Sequence, residues 1–146
     1  MTASPREEIK IGGLAIRFLV EGQDSAGSIA MFEFDVAPGA KVPGAHSHDA
    51  YEETAYGLEG VLTFTVNGHT SELGAGQSLV IPRGAVHRFD NLHPTTAKLL
   101  AIITPGILGP DYFQQVADLL RASAGGPPDL AALGQIMHRH GLTPAP

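Results

Sequence analysis

Apolar and polar residues alternate along the chain from about residue 9 to residue 104, and glycine and proline interrupt the alternation roughly every 8–12 residues. A period of two is typical of strands with one buried face, and regularly spaced turns between short strands are typical of a β-sandwich or barrel. The pattern predicts strands at residues 14–20, 28–36, 51–58, 61–66, 70–73, 78–81, 86–89 and 98–104.

One turn between these strands has a specific signal. Asn67-Gly68 lies between the apolar segment that ends at Val66 and the next predicted strand. Both central residues of a type I′ turn need a positive φ, which asparagine and glycine tolerate best. We therefore predict a tight hairpin at this position.

The spacing of apolar residues becomes helical after the last predicted strand. Pro110 suits the first turn of a helix, and Gly125-Gly126 follows its apolar face. A second helix is predicted after Pro127-Pro128, with Gly141 as its C-terminal cap. The apolar faces of both helices are expected to pack on the β region or against a second chain.

The chain length limits the number of domains. A chain of 146 residues is the size of one domain. We expect residues 9–105 to form a β barrel and residues 109–141 to form a helical appendage of the same domain. The chain has no cysteine, so any metal site must use nitrogen and oxygen ligands.

Charge and hydropathy argue against two classes of partner. Acidic residues outnumber basic ones by 15 to 9, and the basic residues are scattered, so no positive surface is expected for a phosphate backbone. The longest apolar runs are far shorter than the ~20 residues that cross a bilayer. The first ten residues are polar and include Glu7 and Glu8, unlike a secretory signal. We expect a cytoplasmic protein that binds neither nucleic acid nor membrane.

Seven histidines are the one unusual feature of the composition. His46 and His48 are two residues apart, so on a strand both imidazoles point to the same face. Glu52-Glu53 follow closely, and His87 lies on a later predicted strand. Three imidazoles and one carboxylate suit a divalent first-row transition metal.

These residues resemble the two motifs of the cupin superfamily, G-x5-H-x-H-x(3 or 4)-E-x6-G and G-x5-P-x-G-x2-H-x3-N. The second motif is matched at every fixed position. The first has one extra residue before its first histidine, which predicts a longer loop through residues 42–44. The matching residues are Gly39, His46, His48, Glu53 and Gly60 in the first motif, and Gly76, Pro82, Gly84, His87 and Asn91 in the second.

The resemblance implies an all-β fold for residues 9–105, the cupin jelly-roll β-barrel or double-stranded β-helix, followed by the two C-terminal α-helices. It also implies one divalent transition metal per chain, held by His46, His48, Glu53 and His87. Iron or manganese is favoured over nickel, cobalt, copper and zinc.

Two adjacent glutamates compete for the fourth ligand position. Strand parity from His48 favours Glu52, because residues 48 and 52 share a face of a continuous strand. The motif favours Glu53, and a turn at Asp49-Ala50 would break the parity. We assign Glu53 as the ligand and place Glu52 at the barrel rim as a candidate catalytic residue.

Small residues near the expected ligand predict a substrate pocket. If Glu53 points into the barrel, Ala55 and Gly57 point in with it. Their small side chains would leave space for an organic substrate beside the metal, and Phe89 could pack against that substrate.

Four protein ligands leave one or two coordination positions open on a five- or six-coordinate ion, as catalysis requires. The first hypothesis is a metal-dependent dioxygenase-like oxidoreductase, similar to the quercetinase-like small cupins, acting on a small organic substrate bound through an anionic oxygen. The second is a redox-neutral isomerase, decarboxylase or lyase that works through an enolate. The third is a non-catalytic metal- or ligand-binding cupin. The same ligands serve all three.

Association is also expected. An antiparallel jelly roll has free sheet edges, and small cupins usually dimerise through them. We predict a homodimer and take residues 14–20 and the apolar faces of the two helices as candidate contact surfaces.

Overall fold

The computed structural model describes residues 7–40, 44–123 and 125–146. Its strands form two antiparallel sheets that face each other, one of six strands and one of five. This arrangement, with two C-terminal helices, confirms the jelly-roll fold class. The strands are β1 (Glu8–Ile11), β2 (Leu14–Val20), β3 (Ala30–Val36), β4 (His46–His48), β5 (Glu52–Glu59), β6 (Leu62–Val66), β7 (His69–Leu73), β8 (Ser78–Ile81), β9 (His87–Asp90), β10 (Ala97–Thr104) and β11 (Leu142–Pro144).

The six-stranded sheet has the order β1-β2-β3-β10-β5-β8. Its strands show the alternation that predicted them, because every second side chain of β2, β3 and β10 is buried between the sheets. On the outer face, Arg17 forms ion pairs with Glu8, Glu33 and Asp35. The apolar core therefore lies on the face that the sequence pattern indicates.

The five-stranded sheet has the order β11-β4-β9-β6-β7. The predicted hairpin between β6 and β7 is confirmed, since Asn67 has a φ of 48° and Gly68 a φ of 82°. The C-terminal strand β11 pairs with β4, and Leu142 lies opposite His48. Sequence analysis missed this strand, and it returns the end of the chain to the edge of the barrel.

The two helices are α1 (Pro110–Ala122) and α2 (Leu130–Arg139). Pro110 occupies the first turn of α1 as predicted, and the Asp129 side chain caps α2 by accepting a hydrogen bond from the Ala132 amide. The helices pack against each other, α1 also against β1 and α2 against β11. No described helix is long and apolar enough to cross a membrane.

The surfaces suggested for dimerisation are used within the chain. The buried residues of the helices include Tyr112 and Val116 on α1 and Ile136 and Met137 on α2. On β2 the apolar side chains face the core, and Arg17 faces outward with its carboxylate partners. These surfaces are therefore not available as apolar contact areas, although the homodimer itself stays a prediction.

Candidate metal centre

Three histidines from two neighbouring strands meet inside the barrel. His46 and His48 lie on β4, and His87 begins β9 directly opposite His46. One ring nitrogen from each residue lies within 4.8 Å of those of the other two. The predicted grouping of these side chains is therefore present in the structure.

The glycine and proline of the second motif shape the loop that delivers His87. Gly84 has a φ of 82°, a conformation that side chains disfavour, and its amide donates a hydrogen bond to the carbonyl of His48. The amide of Ala85 donates to the carbonyl of Pro82, which tightens the turn. This loop thereby joins β4 to the start of β9.

Backbone carbonyls orient two of the three imidazoles. The Nδ1 atom of His87 lies 2.9 Å from the carbonyl oxygen of Ala85, and that of His46 lies 3.0 Å from the carbonyl oxygen of Gly44. A carbonyl can only accept, so both Nδ1 atoms carry the proton and both Nε2 atoms keep a free lone pair. This arrangement prepares the two rings to bind a metal through Nε2.

Glu53 approaches His48 from the opposite sheet, outside the close group of the three histidines. It lies on β5, and its Oε1 atom is 4.0 Å from the Nε2 atom of His48. The chain bends at Asp49-Ala50 between β4 and β5, so strand parity does not carry across this segment. Glu53 therefore points inward, in agreement with the spacing of the motif.

Burial sets the protonation of the cluster. It lowers the pKa of His48 to about 2, with the charges of His87 and His46 adding to the effect. It likewise lowers the pKa of His87 to about 4 and lowers that of His46. All three imidazoles are neutral at pH 7. Burial raises the pKa of the Glu53 carboxyl to about 7, and none of the described lysine or arginine side chains forms an ion pair with it.

This donor set fits a divalent transition metal. Neutral imidazoles and a carboxylate are the ligands that such ions prefer, and ligand atoms about 2.0–2.2 Å from one ion lie 3–4 Å apart. His48 Nδ1 has no hydrogen-bond partner among the described residues, and its Nε2 faces Glu53. His46, His48 and His87 would hold the ion, with Glu53 as the predicted fourth ligand.

Glu52 lies on the other face of β5. Its carboxylate forms a two-point ion pair with Arg83, including a 3.0 Å hydrogen bond to Oε1, and Arg83 lowers its pKa. Strand alternation turns Glu52 outward when Glu53 points in. The structure does not bring Glu52 to the histidines, which argues against the predicted catalytic role.

Of the three predicted pocket residues, Ala55, Gly57 and Phe89, only Phe89 borders the cavity beside the histidines. Ala55 and Gly57 do share the inward face of β5 and are buried. A Cβ atom on Gly57 would overlap the backbone oxygen of Gly74, so its small size admits a neighbouring loop and leaves no space for a ligand. The cavity beside the histidines is bordered by Phe89, as predicted, but by neither Ala55 nor Gly57.

That cavity has a volume of about 70 Å³ and is mostly apolar. One part of its lining is formed by the three histidines and Glu53. The other walls come from both sheets, from the segment before α1, from α1 and from β11. The apolar lining residues are Leu14, Ile16, Phe32, Phe34, Phe89, Leu108, Phe113 and Leu142, and Tyr112 completes the lining.

Sequence analysis missed two tyrosines at this site. Tyr51 is fully buried and stacks on the His48 ring, with 4.5 Å between the ring centroids. Tyr112 lies on α1 and reaches the cavity. Its place in the apolar stripe of a helix indicated a core residue, and the polar hydroxyl in that stripe was the only available signal.

Comparison with known proteins identifies the family. Residues 32–103 match the family model of the cupin domain. The protein is a small cupin-domain protein. Its family match includes all four predicted ligands and ends before α1, so the cavity walls formed by α1 and β11 lie outside it.

Two relatives differ in how much of the cupin they cover. Quercetin 2,3-dioxygenase of Bacillus subtilis (strain 168) is 32% identical over 73 residues, which are 50% of this chain but 21% of that protein. Tetracenomycin polyketide synthase protein TcmJ of Streptomyces glaucescens is 27% identical over 117 residues, 80% of this chain and 78% of the relative. The chain therefore spans about one fifth of the first relative and most of the second.

A solved structure supports the fold. The crystal structure of a predicted oxalate decarboxylase from Thermotoga maritima superposes with a TM-score of 0.64 and 22% identity, over 68% of this chain and 93% of that one. At this identity the likeness concerns the fold of the cupin alone.

Proposed function

We propose that this cupin is a metal-dependent oxidoreductase of the dioxygenase type, acting on a small, largely apolar organic substrate that binds through one anionic oxygen. Iron or manganese is the favoured metal. Held by the three histidines and Glu53, such an ion would supply Lewis acidity toward the substrate oxygen and redox chemistry with dioxygen.

The observation that carries this proposal is the contrast between two groups of residues that line the cavity. One group is the four potential metal ligands, and phenylalanine, leucine and isoleucine form nearly all the remaining wall. Apolar walls exclude water and favour an aromatic or branched substrate body. The polar atoms of the substrate would then converge on the potential metal ligands.

The charges at the cavity limit the substrate further. Among the described residues that line it, none is lysine or arginine. Three neutral imidazoles and one carboxylate leave a divalent ion with a net charge near +1, which suits one phenolate, enolate or carboxylate oxygen. A second anionic group, as in a dicarboxylate or a phosphate ester, would be buried without a counter-charge, which is unfavourable.

The names of the two relatives agree with a substrate of this kind. Quercetin is a polyphenol, and the dioxygenase that bears its name matches half of this chain. The second relative belongs by name to a polyketide synthase, and polyketides are rich in phenols and enolisable ketones. Both point to an aromatic or enolisable oxygen ligand.

The second relative also favours an alternative. It matches most of this chain and carries no oxygenase name, so a redox-neutral reaction on an enolate, such as isomerisation, decarboxylation or elimination, is the second candidate. The ligand set would serve it equally well.

The deciding experiment compares metals and oxygen. The metal-free protein is loaded in turn with iron, manganese, nickel, cobalt and zinc, and each form is assayed with phenols and 1,3-diketones, with and without oxygen. We expect oxygen uptake that matches substrate loss in the iron or manganese form and none in the zinc form. His87→Ala should abolish turnover, and Glu52→Gln, the control on the outer face, should retain it.

Two results would contradict the oxygenase. Equal activity with zinc, unchanged when oxygen is removed, would establish the redox-neutral enzyme. Binding of the test compounds without turnover in any metal form would establish a metal- or ligand-binding cupin.

A further inference from the structure

We propose that the hydroxyl group of Tyr112 donates a hydrogen bond to the anionic oxygen of the substrate. This inference rests on the proposed function, because it concerns a ligand of the same cavity. It adds a substrate-binding residue from α1, which begins seven residues after the family match ends at residue 103.

The composition of the cavity wall singles out Tyr112. Apart from the three histidines and Glu53, it carries the only polar side chain among the described lining residues. A substrate oxygen that turned toward the wall would meet hydrocarbon everywhere else. Among the described lining residues other than the potential metal ligands, Tyr112 is thus the one that can donate to a phenolate, enolate or carbonyl oxygen.

The Tyr112 hydroxyl is free to act as a donor. The residue is 5% exposed, and no hydrogen bond to its hydroxyl occurs among the described side chains. Because Tyr112 borders the cavity, a ligand oxygen there would supply the acceptor that this hydroxyl lacks among the described residues. Burial raises the pKa of Tyr112 to about 12, so the proton is retained over the usual range of pH.

Aromatic packing fixes the position of the ring. Tyr112 contacts Phe113 and His140 edge-on, with centroid distances of 5.0 and 5.5 Å. Phe113 in turn packs on Phe32 of β3 at 5.2 Å. On the other side, the His140 Nε2 atom lies 3.1 Å from the Gln115 side-chain oxygen. The tyrosine is therefore held between the six-stranded sheet and α2, and a rigid donor binds its acceptor at a lower entropic cost.

Tyr112 borders the same cavity as the potential metal ligands. Its side chain and those of His46, His48, Glu53 and His87 line one cavity of about 70 Å³. Because this cavity is small, a substrate oxygen bound at the histidines would lie close to Tyr112.

The test uses zinc-loaded protein and 4-nitrocatechol as a chromophoric oxygen donor, because zinc contributes no visible absorption. Binding is followed by the absorption change of the probe for wild type, Tyr112→Phe and Tyr56→Phe. Tyr56 is an outward-facing tyrosine with 40% exposure and serves as the matched control. Tyr112→Phe keeps the ring and removes only the donor.

We expect Tyr112→Phe to weaken probe binding by about tenfold or more, as for a hydrogen bond to a charged acceptor. The pH at which half of the bound probe is ionised should rise by about one unit, because the phenolate loses a stabilising donor. Zinc content and melting temperature should match wild type, and Tyr56→Phe should bind zinc and the probe as wild type does.

A dissociation constant for Tyr112→Phe within twofold of wild type would overturn the inference and leave the proposed function intact. Loss of zinc or of folding in this variant would also overturn it, because Tyr112 would then support the structure and not the ligand. If wild-type zinc protein failed to bind the probe at all, both the inference and the anionic-oxygen site of the proposed function would be wrong.

Discussion

At Glu53, burial opposes the negative charge of the carboxylate. Its side chain is 13% exposed, and burial raises its pKa from 4.5 to about 7. Between these values the folded chain holds a proton that the unfolded chain releases. The free energy of unfolding of the metal-free protein therefore falls, through this group, as the pH rises from 4.5 to 7, and the full cost is present above pH 7.

Glu53→Gln is expected to stabilise the metal-free protein at pH 8 by roughly 1–3 kcal/mol, because it removes a buried charge without a counter-ion. The same variant should bind metal more weakly than wild type. Urea unfolding in the presence of a chelator measures the first effect, and metal titration measures the second. Glu52→Gln is the control and should change neither strongly, since its carboxylate is paired outside the barrel. A Glu53→Gln protein that is less stable than wild type at pH 8 without metal would show that the carboxyl is compensated in the fold.

Among the individual site residues, the grouping of the three histidines was predicted correctly from the sequence, because a motif with fixed spacing identifies them directly. The choice of Glu53 over Glu52 also depended on the motif. Strand parity alone favoured Glu52, and the bend at Asp49-Ala50 breaks that parity. Tyr112 could not be predicted. An aromatic residue in a helical stripe gives the same pattern whether it fills a core or borders a cavity.

Among the strands, β5 shows how a small residue can be misinterpreted. Gly57 suggested an open pocket, but the backbone of Gly74 fills the space that a side chain would need. The Gly57 amide also donates to the carbonyl of Gln77, and the Gly57 carbonyl accepts from the Gly76 amide. Close approach of two backbones requires glycine here, and this cannot be recognised without knowing which loop lies beside the strand.

Gly57→Ala is expected to destabilise the protein by about 1–3 kcal/mol through overpacking against this loop. The matched control is Gly134→Ala within α2, where an added Cβ meets nothing within 4 Å. That control should stabilise the protein by about 0.5–1 kcal/mol through helix propensity. Thermal or urea unfolding compares the two. Equal effects of both substitutions would mean that the Gly74 loop yields to the new methyl group.

The shortest strands were the hardest to predict. Strands β2 and β8 were predicted with their observed bounds, whereas β1, with four residues, was not predicted. Strands β4 and β11 have three residues each, too few to establish a period. Their positions depend on pairing between segments far apart in the chain, and a local pattern carries no information about that pairing.

For the molecule as a whole, association remains a prediction. The edge strand β8 carries Val80, which is 57% exposed, next to the outward-facing Tyr56 on β5. An unpaired strand edge beside exposed apolar side chains is a typical surface for association. This area replaces the helix faces and the 14–20 segment as the candidate contact of a homodimer.

Light scattering at micromolar concentration should therefore give the mass of two chains for wild type. Val80→Lys should shift the equilibrium toward one chain, because it places a charge in an apolar contact. Lys98→Ala, on a strand of the same sheet, is a suitable control and should remain dimeric. A monomeric wild-type protein would contradict the homodimer, and a dimeric Val80→Lys protein would place the contact elsewhere.

The candidate metal site and its cavity are built from both sheets of the barrel. One sheet contributes the three histidines, the other contributes Glu53, and α1 together with β11 borders the cavity between them. Metal binding is therefore coupled to the packing of both sheets, and we expect bound metal to raise the melting temperature.

Metal content after purification tests the account most directly. Wild-type protein expressed in medium with a mixture of transition metals should carry about one divalent transition-metal ion per chain, measured by inductively coupled plasma mass spectrometry. His87→Ala should lose most of this metal, whereas His69→Ala, an exposed histidine on β7, should retain it. Equal metal content in wild type and His87→Ala, with both proteins folded, would contradict the central claim that these histidines form a metal site.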